Sequence, residues 1–108
     1  MRGTFHILAR RPGSLRVLDP RQVSWIAAER DYVRYHEGER SHLVRKTMAA
    51  AERELAHLRF ARIHRSAIVN LDHIVELRPA AGGDYRVLLR GGTVLTLSRV
   101  FRRRLALQ

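Results

Sequence analysis

The chain has 108 residues, 45% of them hydrophobic, and its 21 Lys and Arg against 10 Asp and Glu leave a formal net charge of +11. That length suits one domain, residues 1–108, around one modest core, with no window near the roughly 18 apolar residues that cross a bilayer. The opening MRGTFHILARRPG lacks an export signal's apolar stretch and cleavage pattern, and there is no cysteine for a disulfide or a thiolate metal site, so a soluble cytoplasmic protein is expected.

Thr4 to Leu8 and Leu15 to Leu18 alternate in polarity around RRPGS, which predicts a hairpin with its turn at Pro12 and Gly13. Asp19-Pro20 has the form of a helix start, with Asp as cap and Pro at the first position, but only one turn fits before Trp25. A strand from Trp25 to Ala28, a polar break at Glu29-Arg30-Asp31, and strands from Tyr32 to His36 and Ser41 to Lys46 follow, the last two joined at Glu37-Gly38-Glu39.

The period then changes. Met48, Ala51, Leu55 and Leu58 recur at helical spacing behind Thr47, a good cap, which predicts a helix from Met48 to Leu58. Its Glu52, Arg53 and Glu54 balance in charge, so it is expected to pack on a sheet rather than enter a DNA groove. In FARIHRSAIVNLDHI a strand burying Phe60 and Ile63 breaks at His64-Arg65-Ser66 before the apolar run Ala67, Ile68, Val69. Ile74 to Arg78, Tyr85 to Leu89 and Thr93 to Leu97, separated by glycine-bearing turns, predict a meander. Ser98 stands as cap to RVFRRRLALQ, a short terminal helix whose Val100, Phe101 and Leu105 are expected to face the core. The expected fold class is mostly β with a minor α component.

The charge excess calls for an anionic partner. It is carried by arginine, with Lys46 the single lysine, and the planar guanidinium fork binds phosphates and the guanine edge with two hydrogen bonds at once. Catalytic motifs are missing: no HExxH, GxSxG, P-loop or Rossmann pattern occurs. The histidines lack matched ligand spacing, and Ser66, His64 and Asp72 lack the strained nucleophile turn of a catalytic triad, so no enzyme, metal or cofactor is expected. Three strand ends do present basic or polar groups where alternation stops: Arg30-Asp31-Tyr32, His64-Arg65-Ser66 and Ser98-Arg99. On one side of a sheet they would form a single surface held by a rigid frame.

The segments IAAERDYVRYH, LVRKTMAAAERELAHLRFARIHRSAIVNLDHI and GGTVLTLSRVFRRRL together resemble the LytTR-type DNA-binding domain, an output module of bacterial response regulators in two-component systems. The resemblance covers nearly the whole chain. It implies an elongated set of short antiparallel sheets whose loops enter successive major grooves of double-stranded DNA and bend it. It also implies base contacts from the loop Arg30, Asp31 and Tyr32, from Arg65 and from Arg99, and phosphate contacts from His64, Ser66, Arg102 and Lys46. Asn70 is expected to fix a local turn instead. Family members bind paired direct repeats and commonly carry a receiver domain or membrane segment ahead of this module. A homodimer on DNA and a regulatory partner outside these residues are therefore part of the expectation, and both a fragment and a complete chain stay open.

Two rival readings remain at this point. One is a sequence-neutral nucleic-acid binder using the arginines as an electrostatic track, with Tyr32 and Tyr35 as its stacking groups and Trp25 and Phe60 in the core. The other is a small hydrolase or metal protein built on the histidines.

Overall fold

The computed structural model describes residues 6–105. They form ten strands in three antiparallel sheets. Strands β1 (Ile7–Arg11) and β2 (Ser14–Leu18) make the opening hairpin. The central sheet has the order β5-β4-β3-β7-β6, from β3 (Trp25–Glu29), β4 (Tyr32–Glu37), β5 (Arg40–Arg45), β6 (Phe60–His64) and β7 (Ala67–Asn70). The third sheet, β10-β9-β8, is the expected meander of β8 (Ile74–Pro79), β9 (Tyr85–Leu89) and β10 (Val94–Leu97). The molecule is elongated, 45 × 34 × 25 Å along its principal axes.

The central sheet is covered on both faces at β7, whereas β5 alternates between buried and exposed residues, and β7 shows why its own sequence does not alternate. Ile68 joins a core cluster with Ile7, Leu18, Ile26, Val33, Tyr35, the helix residues Met48 and Ala51 and the capping Leu55. Its neighbours Ala67 and Val69 face the other way, into a second cluster with Ile63, Val87, Leu89, Leu95 and Leu97. A strand covered on both sides has no solvent face on which to place polar residues. Trp25 and Phe60 are half-buried at the margins of these clusters, Trp25 stacked on His36 with ring centroids 4.3 Å apart.

Local signals mark several boundaries. The Asp19 carboxylate accepts from the Arg21 N–H to cap a short 3-10 helix, Pro20–Gln22. Thr47 Oγ1 accepts from the Ala50 N–H at 3.0 Å to start α1 (Met48–Glu54). Asn70 is buried, accepts from the Asp72 N–H at 3.0 Å, and donates to the Val23 carbonyl at 2.9 Å, so it fixes the expected local turn and also ties it to the first 3-10 helix.

Three expectations need correction. Helix α1 ends at Glu54 rather than Leu58, because the chain tightens into i to i−3 bonds, Ala56 to Arg53 and Leu58 to Leu55, before entering β6; helical spacing of apolar residues survives such turns. The terminal segment Arg99–Leu105 is a 3-10 helix, with Phe101 and Leu105 packed on the second cluster but Val100 78% exposed. Its first N–H, on Arg99, donates to the Asp84 carboxylate at 2.9 Å, so the capping side chain comes from another loop and not from Ser98. The expected first strand is displaced, since β1 runs from Ile7 to Arg11, while Thr4 and Phe5, like 106–108 of the expected terminal helix, lie outside the described residues. Among the described residues, no helix is long and apolar enough to cross a membrane.

Candidate nucleic-acid interface

Strand register brings three distant corners to one end of the central sheet. Glu29 pairs with Tyr32, so the β3–β4 hairpin turns at Arg30-Asp31, and Tyr32 in turn pairs with Arg45 at the end of β5. Strand β7 runs antiparallel to β3, with Ala27 against Ala67. The β6–β7 turn at Arg65-Ser66 therefore lies beside the first turn, and the Ala28 N–H donates to the Ser66 carbonyl at 3.0 Å. On its other side the Ser98 N–H donates to the Ile63 carbonyl at 2.9 Å, which sets Arg99 next to the same turn.

Three of the arginines at this end are uncommitted. Arg30, Arg65 and Arg99 are exposed, and among the described residues none of their guanidinium groups makes a hydrogen bond or ion pair. Arg34, Arg59 and Arg78, by contrast, are paired with Glu29, Asp72 and Glu76. Arg45 lies over the Tyr32 ring at 5.8 Å, a contact that leaves its donors open. Asp31 is the exposed acid of the group. Arg30 has a φ of 57°, the one positive value outside glycine among the described residues. Such a backbone costs an ordinary residue roughly 1–2 kcal/mol.

The polar knot at His64-Arg65-Ser66 has its own architecture. A bulge between Arg62 and His64 shifts the β6–β7 register just before the turn, and bulges re-aim the side chains beside them. The Ser66 N–H donates to His64 Nδ1 at 3.1 Å, with Ser66 Oγ 2.8 Å from the same nitrogen. A backbone N–H can only donate, so Nδ1 accepts and the imidazole proton sits on Nε2, free to act as a donor outward. Arg62 holds the turn from behind: its Nε donates to the His64 carbonyl at 3.3 Å and its Nη2 to the Arg65 carbonyl at 2.5 Å.

Other expected contact residues are already engaged. Lys46 Nζ donates to Glu54 at 2.7 Å and to the Tyr35 hydroxyl at 3.0 Å. Burial opposes the charge of Lys46, but the bonds to Glu54 and Tyr35 outweigh it and hold the ammonium above its ordinary value. Tyr35 is fully buried, which corrects its assignment as a stacking group, and burial pushes its hydroxyl pKa up against the pull of Lys46. Arg102 is half-buried, donates to the Gly83 carbonyl at 3.3 Å and lies over Tyr85. Tyr32 remains exposed at 37%. Sequence reasoning passed over Arg45, Arg62 and Asp84. Arg45 stands next to Lys46 in a strand of known alternation, a usable signal, but the roles of Arg62 and Asp84 depend on partners from other elements. No cluster of three or more His, Cys, Asp or Glu able to hold a metal occurs among the described residues.

The mostly-β frame gathers open arginines at one sheet end, a positive surface suited to an anionic partner. A solved LytTr DNA-binding domain from Bacillus cereus has the same fold, with a TM-score of 0.82 over 94% of this chain and 93% of that one at 19% identity. The LytTr DNA-binding domain family model matches residues 13–108, and the chain belongs to that family. Among curated relatives, the sensory transduction protein LytT of Bacillus subtilis is 28% identical over 92 residues, which is 85% of this chain and 38% of that protein. The positive alginate biosynthesis regulatory protein of Pseudomonas aeruginosa is 31% identical over 96 residues, 87% of this chain and again 38% of that protein. The chain thus spans well under half the length of these regulators.

Proposed function

We propose that this chain binds double-stranded DNA sequence-specifically, through turns inserted in successive major grooves, as the output domain of a bacterial transcription regulator. The observation that carries it is the convergence of Arg30, Arg65 and Arg99, all with open guanidinium groups, at one end of a rigid sheet. Five strands at about 4.8 Å spacing make that end about 19 Å wide, more than the roughly 12 Å width of one major groove. A row that wide has to cross a phosphate backbone, so contacts at its two sides fall in different grooves or on the strand between them.

In this reading Arg65 and Arg99 read bases, with the Arg30, Asp31 and Tyr32 corner as a third point of base contact. His64 through Nε2–H and Ser66 hold phosphates, and Arg102, with Nη1 on the Gly83 carbonyl, offers its remaining donors to a third. Because Lys46 is tied to Glu54 and Tyr35, Arg45 takes the phosphate beside it. Paired direct repeats about one helical turn apart would seat two copies, with input and dimerisation supplied by the remainder of a longer regulator.

The test begins with selection of duplexes from a random pool at moderate salt. Arg65→Ala should then weaken binding to the selected duplex by about 1–3 kcal/mol and leave binding to a scrambled duplex nearly unchanged. An equal loss on both would show that Arg65 contacts only phosphate, and a pool that stays random would favour the sequence-neutral electrostatic binder.

A further inference from the structure

We infer that Arg62 is a positioning residue for the Arg65 turn, and that Glu52 couples this brace to the terminal segment carrying Arg99. The inference rests on the reading of Arg65 and Arg99 as base contacts.

Each nitrogen of the Arg62 guanidinium has a separate task. Nε and Nη2 hold the carbonyls of His64 and Arg65, the two peptide oxygens that flank the reading position. Nη1 lies 3.5 Å from Oε1 of Glu52 on α1. The second oxygen of Glu52 accepts from Arg104 in the terminal 3-10 helix. The Phe101 ring lies beneath both cations, 5.7 Å from the Arg62 guanidinium carbon and 5.0 Å from that of Arg104. One carboxylate and one ring thus join the consecutive elements α1 and β6 to Arg99–Leu105, which is distant from both along the chain.

The chemistry explains why arginine is needed. A two-residue turn projecting from a sheet edge has few contacts of its own, and ordering it on DNA costs conformational entropy. A planar fork that grips two successive carbonyls removes that cost in advance, whereas an ammonium, a point donor on a flexible stem, cannot span both in one geometry. The Arg62 side chain is 18% exposed and faces the protein, so it acts on DNA through the turn and not by contact.

Arg62→Lys keeps the charge and removes the fork. Affinity for the selected duplex should fall about tenfold, while affinity for a scrambled duplex and the salt dependence stay at wild-type values. NMR order parameters of the Arg65 and Ser66 amides should drop in the same variant. Glu52→Gln, at a partly exposed carboxylate, should act in the same direction by about threefold and carries the test if Arg62→Lys melts below the assay temperature. Retention of wild-type discrimination within about twofold by a folded variant of either kind overturns the positioning role alone. A wild-type chain that does not discriminate at all overturns the base-reading assignment, and the positioning role with it.

Discussion

The hairpins on either side of β4 close with two-residue turns of similar backbone, φ 57° at Arg30 and 60° at Gly38, and differ in what stands there. At Gly38 the left-handed conformation is met by the residue that adopts it without steric cost. At Arg30 it is met by a long cation. The same difference separates the two ends of the central sheet. Around the Gly38 end, polar groups are mostly engaged internally: buried His42 bonds Glu37 through Nε2 while its Nδ1 stays without a partner, Asn70 is bonded on both sides of its amide, and His36 stacks on Trp25. Around the Arg30 end, Arg34 is paired with Glu29 but Arg30 and Arg65 are left open, and the backbone at Arg30 is in the left-handed region that costs a non-glycine residue energy.

The comparison can be broken most decisively at Asn70. Asn70→Ala removes a buried amide and leaves the Val23 carbonyl without its donor, so stability should fall by about 2–3 kcal/mol. Thermal melting measures that loss, and the ratio of cognate to scrambled DNA affinity in the folded protein should not change. A smaller effect of opposite sign is expected at Arg30. Arg30→Gly should raise stability by about 1 kcal/mol while weakening cognate DNA binding, and Gly38→Arg should lose about as much stability with specific affinity intact. Equal behaviour of the two turns in both assays would erase the distinction drawn between them.

The smallest effect concerns pH. Burial, aided by the nearby Arg34 charge, holds the His36 pKa below its ordinary value. The unfolded chain then takes up this proton first as pH falls through about 6.5, so folding loses stability in that window and is unaffected above it. His36→Phe keeps the stack on Trp25 and removes the titration. Its melting temperature should therefore depend less on pH between about 7.5 and 5.5 than that of the wild type, and identical slopes would show that His36 contributes nothing to acid sensitivity.

Much of the local structure could be read from the residues themselves. Thr47 starts α1, Asp19 caps its 3-10 turn, and the glycine-bearing breaks locate the meander strands, because each signal acts within a few residues. The end of α1 was not legible, since apolar spacing continued through the turns after Glu54. Nor was the buried state of Tyr35, whose alternation in β4 marks a face without saying that a helix and a hairpin will cover it.

The candidate site divides in the same way. The break in alternation at His64-Arg65-Ser66 and the arginine excess were visible in the chain alone, as was the resemblance to the LytTR-type family, and these determined the mostly-β class and the polarity of the corners. Only the tertiary structure decided that β3 pairs with β7 and that Ser98 bonds to Ile63, which sets Arg30, Arg65 and Arg99 at one sheet end. It alone also committed Lys46 to Glu54 and Arg62 to the carbonyls of the turn. Periodicity and capping are local, whereas strand partners and ion pairs between elements depend on how the two cores pack, which no short window of residues encodes.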